Sequence, residues 1–221
     1  MNIVMADPTF DGFDVMRAEW YTTLLSGDSG LDDGAHELAR CLSSPLDGLP
    51  PALATRQLVF VCHSMGGLVV RQALVQHPEL TRGREISVLT YGTPAKGVAL
   101  ADRLDDVARA LGHRQLLDLS HSSPVLAGLH ERFTELVQGG KAQIDGLELV
   151  ESDLVVPPVA VRRLARRFMP HSPPVVGVET QGGYFGPPVV LPWTDHRSIS
   201  RPTSPRHPSH TALRRFVRSR G

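Results

Sequence analysis

The residues best suited to covalent chemistry are a serine in a tight glycine-bearing turn and a histidine far downstream of it. His63-Ser64-Met65-Gly66-Gly67 follows a short apolar run, Gln57–Cys62, and precedes a second one, Leu68–Val75. A serine between the end of a strand and the start of a helix projects its hydroxyl from a sharp turn, the nucleophile-elbow arrangement. Such a turn needs small residues two positions before and two after, where the two backbones nearly touch. Gly66 meets the second requirement, and Cys62 stands where glycine is usual. The backbone N–H of Met65 would then face the oxygen of a reacting carbonyl, helped by the positive end of the helix. The competing reading is a glycine-rich turn in which Ser64 only caps a helix. The buried runs on both sides favour the elbow.

A hydroxyl is a weak nucleophile near neutrality, so a base has to follow, in the order serine, acid, histidine. Of ten histidines, His36 and His130 lie in helical patterns, and His63 belongs to the turn itself. His77, His113, His121 and His171 read as loop or helix-end residues. His196, in Trp193-Thr194-Asp195-His196-Arg197-Ser198-Ile199, follows the last expected strand and is the candidate base; position alone leaves it level with an exposed loop histidine. The acid should come from a strand end, which here offers Glu151 and Asp153. Asp195 is disfavoured because adjacent loop residues seldom face the same ring. His207 and His210 could suggest a metal site, but no Cys or carboxylate partner supports it, so none is expected.

Elements able to position these groups are legible. Gln57–Cys62 reads as a strand buried on both faces, and Leu68–Val75 as a helix stopped near His77-Pro78. Further strands are expected at Ile86–Tyr91, Leu147–Val150, Val175–Val178 and, early in the chain, Phe13–Met16. Helices are expected over Asp32–Leu42, Leu100–Leu111, Ser123–Val137 and around Leu213–Arg218. The segments Asp153–Pro174 and Gly182–Ser204 read as Pro-rich irregular loops. Strands alternating with helices of this length imply an α/β fold with a mostly parallel sheet.

At 221 residues the chain suits one domain, 1–221. Its 23 basic and 23 acidic residues cancel, which argues against general nucleic-acid binding and suits an uncharged or lipid-like ester better than a polyanion. Two cysteines, Cys41 and Cys62, make no disulfide framework and suggest a reducing, cytoplasmic setting. No signal peptide or membrane-spanning run is read; the cluster Arg162–Arg167 reads as a solvated helix face, with peripheral contact to an anionic lipid surface as its lesser reading. No cofactor is expected, and oligomeric state is not encoded.

The stretch Leu58–Leu74, with its Cys-His-Ser-Met-Gly-Gly core, resembles the lipase-like serine α/β-hydrolases related to serine-active-site-containing proteins and GPI inositol-deacylases. Tyr91-Gly92-Thr93-Pro94-Ala95-Lys96-Gly97 is similar to that family's Gly-Thr-Pro loop. Asp195-His196-Arg197-Ser198-Ile199-Ser200-Arg201-Pro202 is similar to its Asp-His-x-x-Ile-x-Lys-Pro segment. The resemblance implies an α/β-hydrolase fold and a serine esterase in which His196 is the base and Glu151, rather than Asp153, the acid. It also implies an earlier strand ending in a His-Gly loop that supplies a second oxyanion donor. Neither is found, so an N-terminally shortened domain is expected, with a misplaced start codon as one source. Losing one donor typically costs about 10²–10³ in rate. A catalytically weak or inactive hydrolase-like interaction or signalling domain is therefore the alternative to an active esterase.

Overall fold

A computed structural model describes residues 2–18, 31–45, 48–97, 124–140, 142–152 and 176–220. Its elements in chain order are α1 (Asn2–Met5), α2 (Leu31–Ser43), β1 (Gln57–His63), α3 (Met65–Gln76), β2 (Glu85–Tyr91), α4 (Pro124–Gln138), β3 (Gln143–Glu151), β4 (Val189–Leu191) and α5 (Pro208–Arg218), with short 3₁₀ turns between. The four strands form one sheet in the order β1-β2-β3-β4, and every pair is parallel. This is an α/β arrangement, as the alternation of strands and helices implies.

β2 is covered on both faces, which is why it reads as a nearly continuous apolar run. β1, expected to be buried on both faces, buries only Cys62 fully, because it lies at an edge of the sheet among the described residues. Alternate residues of β2 divide between two cores. Ile86 and Val88 pack with Ala35, Leu38 and Leu42 of α2, Val70 and Leu74 of α3 and Phe133 of α4. Leu89 and Tyr91 pack on the other face with Leu149, Leu191, Ile199 and Leu213, Phe216 and Val217 of α5. Among the described residues β1 has a strand neighbour on one side only, and its Val61 is 48% exposed.

One charged pair is enclosed within the first core. Arg71 of α3 is fully buried, 3.4 Å from Glu148 of β3, with its guanidinium 4.7 Å over the ring of Tyr184. Glu148 also accepts the backbone N–H groups of Gly182 and Tyr184. A buried carboxylate needs such partners, and here they tie the chain around residues 182–184 to the sheet.

Several expected elements differ. Phe13–Met16 has no regular structure; its β-favouring residues meet no strand to pair with among those described. Val176–Val178 is not a strand either: the Val176 N–H is donated to the Glu151 side chain, and a 3₁₀ turn, Val178–Thr180, follows. The fourth strand is instead Val189–Leu191, inside a segment read as irregular. It is three residues long and bracketed by Pro188 and Pro192, a pattern tolerated at a sheet edge and easily taken for a loop. The expected helix at Leu100–Leu111, the cluster Arg162–Arg167, His113, His121 and His171 lie outside the described residues. No helix among the described residues is long and apolar enough to cross a membrane.

Candidate active site

The register brings the ends of three strands together. His63 of β1 is level with Tyr91 of β2, which is level with Leu149 of β3. The ladder continues past the strand ends: Ser64 N–H donates to Tyr91 O at 2.9 Å, Gly92 N–H to Leu149 O at 2.8 Å, and Ser152 N–H to Thr194 O at 3.1 Å. Ser64, Gly92 and Glu151 therefore emerge side by side at the carboxyl edge of the sheet, where an open α/β sheet offers a crevice.

Ser64 has φ 53° and ψ −126°, a left-handed backbone that side chains seldom adopt and that surrounding structure must enforce. Besides the bond to Tyr91, its carbonyl accepts the Thr93 hydroxyl at 2.9 Å and the Gly67 N–H at 3.1 Å. The close contact beneath the turn falls at Gly67, where a Cβ would lie 2.4 Å from Thr93 Oγ1. At Gly66 a Cβ would meet nothing within 4 Å among the described residues. The residue that must be small is thus Gly67 and not Gly66, because the neighbour it clears is the Gly92-Thr93 loop. Cys62 is buried without strain as the last apolar residue of β1; burial pushes its thiol pKa up to about 12, so it offers no thiolate.

The Ser64 side chain makes no cap hydrogen bond to α3, so it does not serve as the helix cap. Its Oγ lies 3.1 Å from His196 Nε2. His196 Nδ1 in turn lies 3.2 Å from Glu151 Oε1. With Nδ1–H donated to the carboxylate, Nε2 of the neutral ring is the atom that accepts from the serine hydroxyl. Serine, histidine and glutamate are all buried, with His196 at 0% exposure, so it is no exposed loop histidine. Glu151 Oε1 also accepts the Val176 N–H at 2.7 Å, which holds the carboxylate toward the ring. Asp153, the other candidate acid, lies outside the described residues.

Asp195 is engaged in shaping the histidine's turn: its Oδ1 accepts from Arg197 N–H, Ser198 N–H and Ser198 Oγ. From the far side His63 Nε2–H donates to the His196 carbonyl at 2.9 Å. Burial, and then the neighbouring His196, lower the His63 pKa to about 4, although its bond to that carbonyl works the other way. It is therefore neutral near pH 7 and acts as a fixed donor. Met65 opens α3 directly after Ser64, so its N–H is one of the first-turn donors that lack an intrahelical partner.

Gly92 enters the sequence reading only as part of a Gly-Thr-Pro loop, with no place among the candidate site residues. Its φ is 52°, and a Cβ there would fall 2.8 Å from Glu151 Oε2 and 3.1 Å from His196 Nδ1. The Gly-Thr-Pro run was the available signal, yet only the fold reveals that the paired Glu151 and His196 side chains occupy the space a side chain would take. Among the described residues no group of three His, Cys, Asp or Glu could hold a metal. His207 accepts the Ser209 N–H at the start of α5. His210, expected to have no carboxylate partner, is paired with Asp7 at 2.8 Å, which the sequence could not show because Asp7 lies 203 residues away. The arrangement can ionise a serine hydroxyl through an oriented imidazole. No family model, curated protein or solved structure matches this chain.

Proposed function

We propose that this chain is a serine hydrolase of the α/β-hydrolase type that cleaves a carboxylic ester. The reading is carried by one observation: Ser64 Oγ, His196 Nε2, His196 Nδ1 and Glu151 Oε1 form a continuous buried relay, with contacts of 3.1 and 3.2 Å. Those residues come from the carboxyl ends of three strands, Glu151 closing β3 and Ser64 and His196 following β1 and β4, in the order serine, acid, histidine.

In the acylation step Ser64 Oγ attacks the ester carbonyl carbon while His196 Nε2 takes the hydroxyl proton. Glu151 keeps the ring oriented and stabilises the imidazolium that forms. The negative oxygen of the tetrahedral intermediate is stabilised by the Met65 N–H at the start of α3. Collapse expels the alkoxide, which leaves as the alcohol after receiving the proton from His196. Water, deprotonated by the same nitrogen, then releases the acid and restores Ser64. The α3 N-terminus and the strained Ser64 backbone support this role, since strain of this kind persists where it is enforced. Cys41 and Cys62 are free thiols, which supports a reducing, cytoplasmic setting.

Labelling with a fluorophosphonate probe tests the reading. Wild-type protein is expected to label, Ser64→Ala to lose labelling completely and His196→Ala to lose nearly all of it. Folded wild-type protein that does not label would sink the proposal and favour an inactive hydrolase-like domain.

A further inference from the structure

The net charge of zero conceals an uneven distribution. After Asp195 the chain carries seven arginines and no acidic residue. Two of them, Arg206 and Arg215, are exposed and stand on the rim of an open groove of about 690 Å³ between α5 and the β3–β4 side of the sheet. The third rim arginine, Arg220, is neutralised by Asp145 at 2.7 Å.

The groove wall is apolar where a soluble surface is usually polar. Val189 and Val190 of β4 line it at 44% and 47% exposure, followed by Pro192. The next residue, Trp193, is 73% exposed and has φ 62°. A left-handed backbone is unusual for so bulky a residue, and an exposed indole next to exposed valines has an apolar body and a polar N–H suited to a lipid–water boundary. The combination of apolar residues, an interfacial aromatic and arginines with no acidic partner among the described residues is complementary to anionic headgroups over acyl chains.

We propose that Val189, Val190, Pro192 and Trp193, flanked by Arg206 and Arg215, form a docking face for a bilayer containing anionic phospholipid. Trp193 precedes His196 by three residues, so contact there places the lipid surface beside the loop that carries the base. The consequence for function, delivery of an acyl ester from the bilayer to Ser64, rests on the hydrolase reading; the docking itself does not. Attraction to the headgroups is electrostatic and reaches about one Debye length, roughly 8 Å at physiological salt.

Sedimentation with phosphatidylcholine vesicles, with and without phosphatidylserine, tests the proposal. Full-length protein is expected to sediment with the phosphatidylserine vesicles only, and less so as salt rises. The exposed pair Arg206→Glu/Arg215→Glu should lower partitioning about tenfold or more, with unchanged circular dichroism and melting temperature as the control for folding. In a Trp20→Phe protein, whose sole tryptophan is Trp193, emission should shift to the blue on adding those vesicles. Absence of binding, equal binding to phosphatidylcholine alone, or full binding by the charge-reversed variant each overturns it. Ser64→Ala is expected to bind as wild type does. The vesicle result is therefore read separately from fluorophosphonate labelling, and failure of either idea leaves the other standing.

Discussion

The hydroxyl of Thr93 donates to the backbone carbonyl of Ser64 at 2.9 Å. The loop after β2 thereby grips the main chain of the Ser64 turn, and Gly67 leaves the room for it. Alanine at 67 would press against buried Thr93, whereas alanine at 66 meets nothing within 4 Å among the described residues. We expect Gly67→Ala to destabilise by about 1–3 kcal/mol and to slow Ser64 labelling. Gly66→Ala should be neutral or slightly stabilising, since alanine favours helix over glycine. Chemical denaturation of the two variants side by side checks the contrast.

Gly92 vacates the volume in which Glu151 and His196 meet. Its substitution by alanine combines a disfavoured positive φ with displacement of the acid–base pair. We expect kcat to fall by about 10² or more while the protein remains folded. Steady-state hydrolysis of a p-nitrophenyl ester, with circular dichroism as the folding control, measures this. Activity within a few-fold of wild type would show that the pair tolerates the intrusion.

Glu151 already accepts from both His196 and Val176. Replacing it with glutamine preserves shape but removes the charge that orients the ring and favours its protonation. The expected loss is about 10³–10⁴ in kcat. Asp153→Asn should stay within a few-fold of wild type. Comparable losses in both variants would mean that the acid is shared.

His63 couples stability to pH. Its folded pKa is about 4 against an ordinary 6.5, so between those values the unfolded chain binds a proton that the folded chain does not. Its contribution is complete above pH 6.5 and is lost progressively as pH falls toward 4. The loss by the lower limit is roughly 3 kcal/mol. Urea denaturation from pH 7 to 4 should show that decline in wild type. In His63→Phe the component should vanish, and an unchanged pH profile in the variant would assign the decline to other groups.

The sequence was most informative where local pattern and local chemistry coincide. Gln57–His63 and Met65–Gln76 are an apolar strand, half-exposed and not buried on both faces as its run of residues suggests, and a buried helix, joined by one residue, so the chain pattern alone was enough to place Ser64. Helices α2 and α4 carried their apolar faces openly and lie within a residue or so of expectation. His196 and Glu151 were nameable only by chain order and by resemblance, because their meeting depends on sheet register across 45 residues. Gly92 and Gly67 show the limit of inspection. Why a glycine is needed depends on which side chain another strand brings to it. The three-residue β4 was illegible because its prolines speak louder than its valines, and tertiary pairing overrides that signal.

The strand that leads into Ser64 is one of the two edge strands of the sheet among the described residues, the other being the short, proline-bracketed β4. Gln57–His63 contains no acid, lysine, arginine, proline or glycine, the features by which natural sheets discourage strand addition. Of the two edges among the described residues, β1 is the longer and has no flanking proline, so strand addition is expected to favour that rim, with Leu58–Cys62 as its template. Ser64 is the next residue along, so the solubility of the protein and the geometry of its hydroxyl share one backbone. Partial thermal unfolding should then abolish fluorophosphonate labelling and produce aggregates together, not in succession.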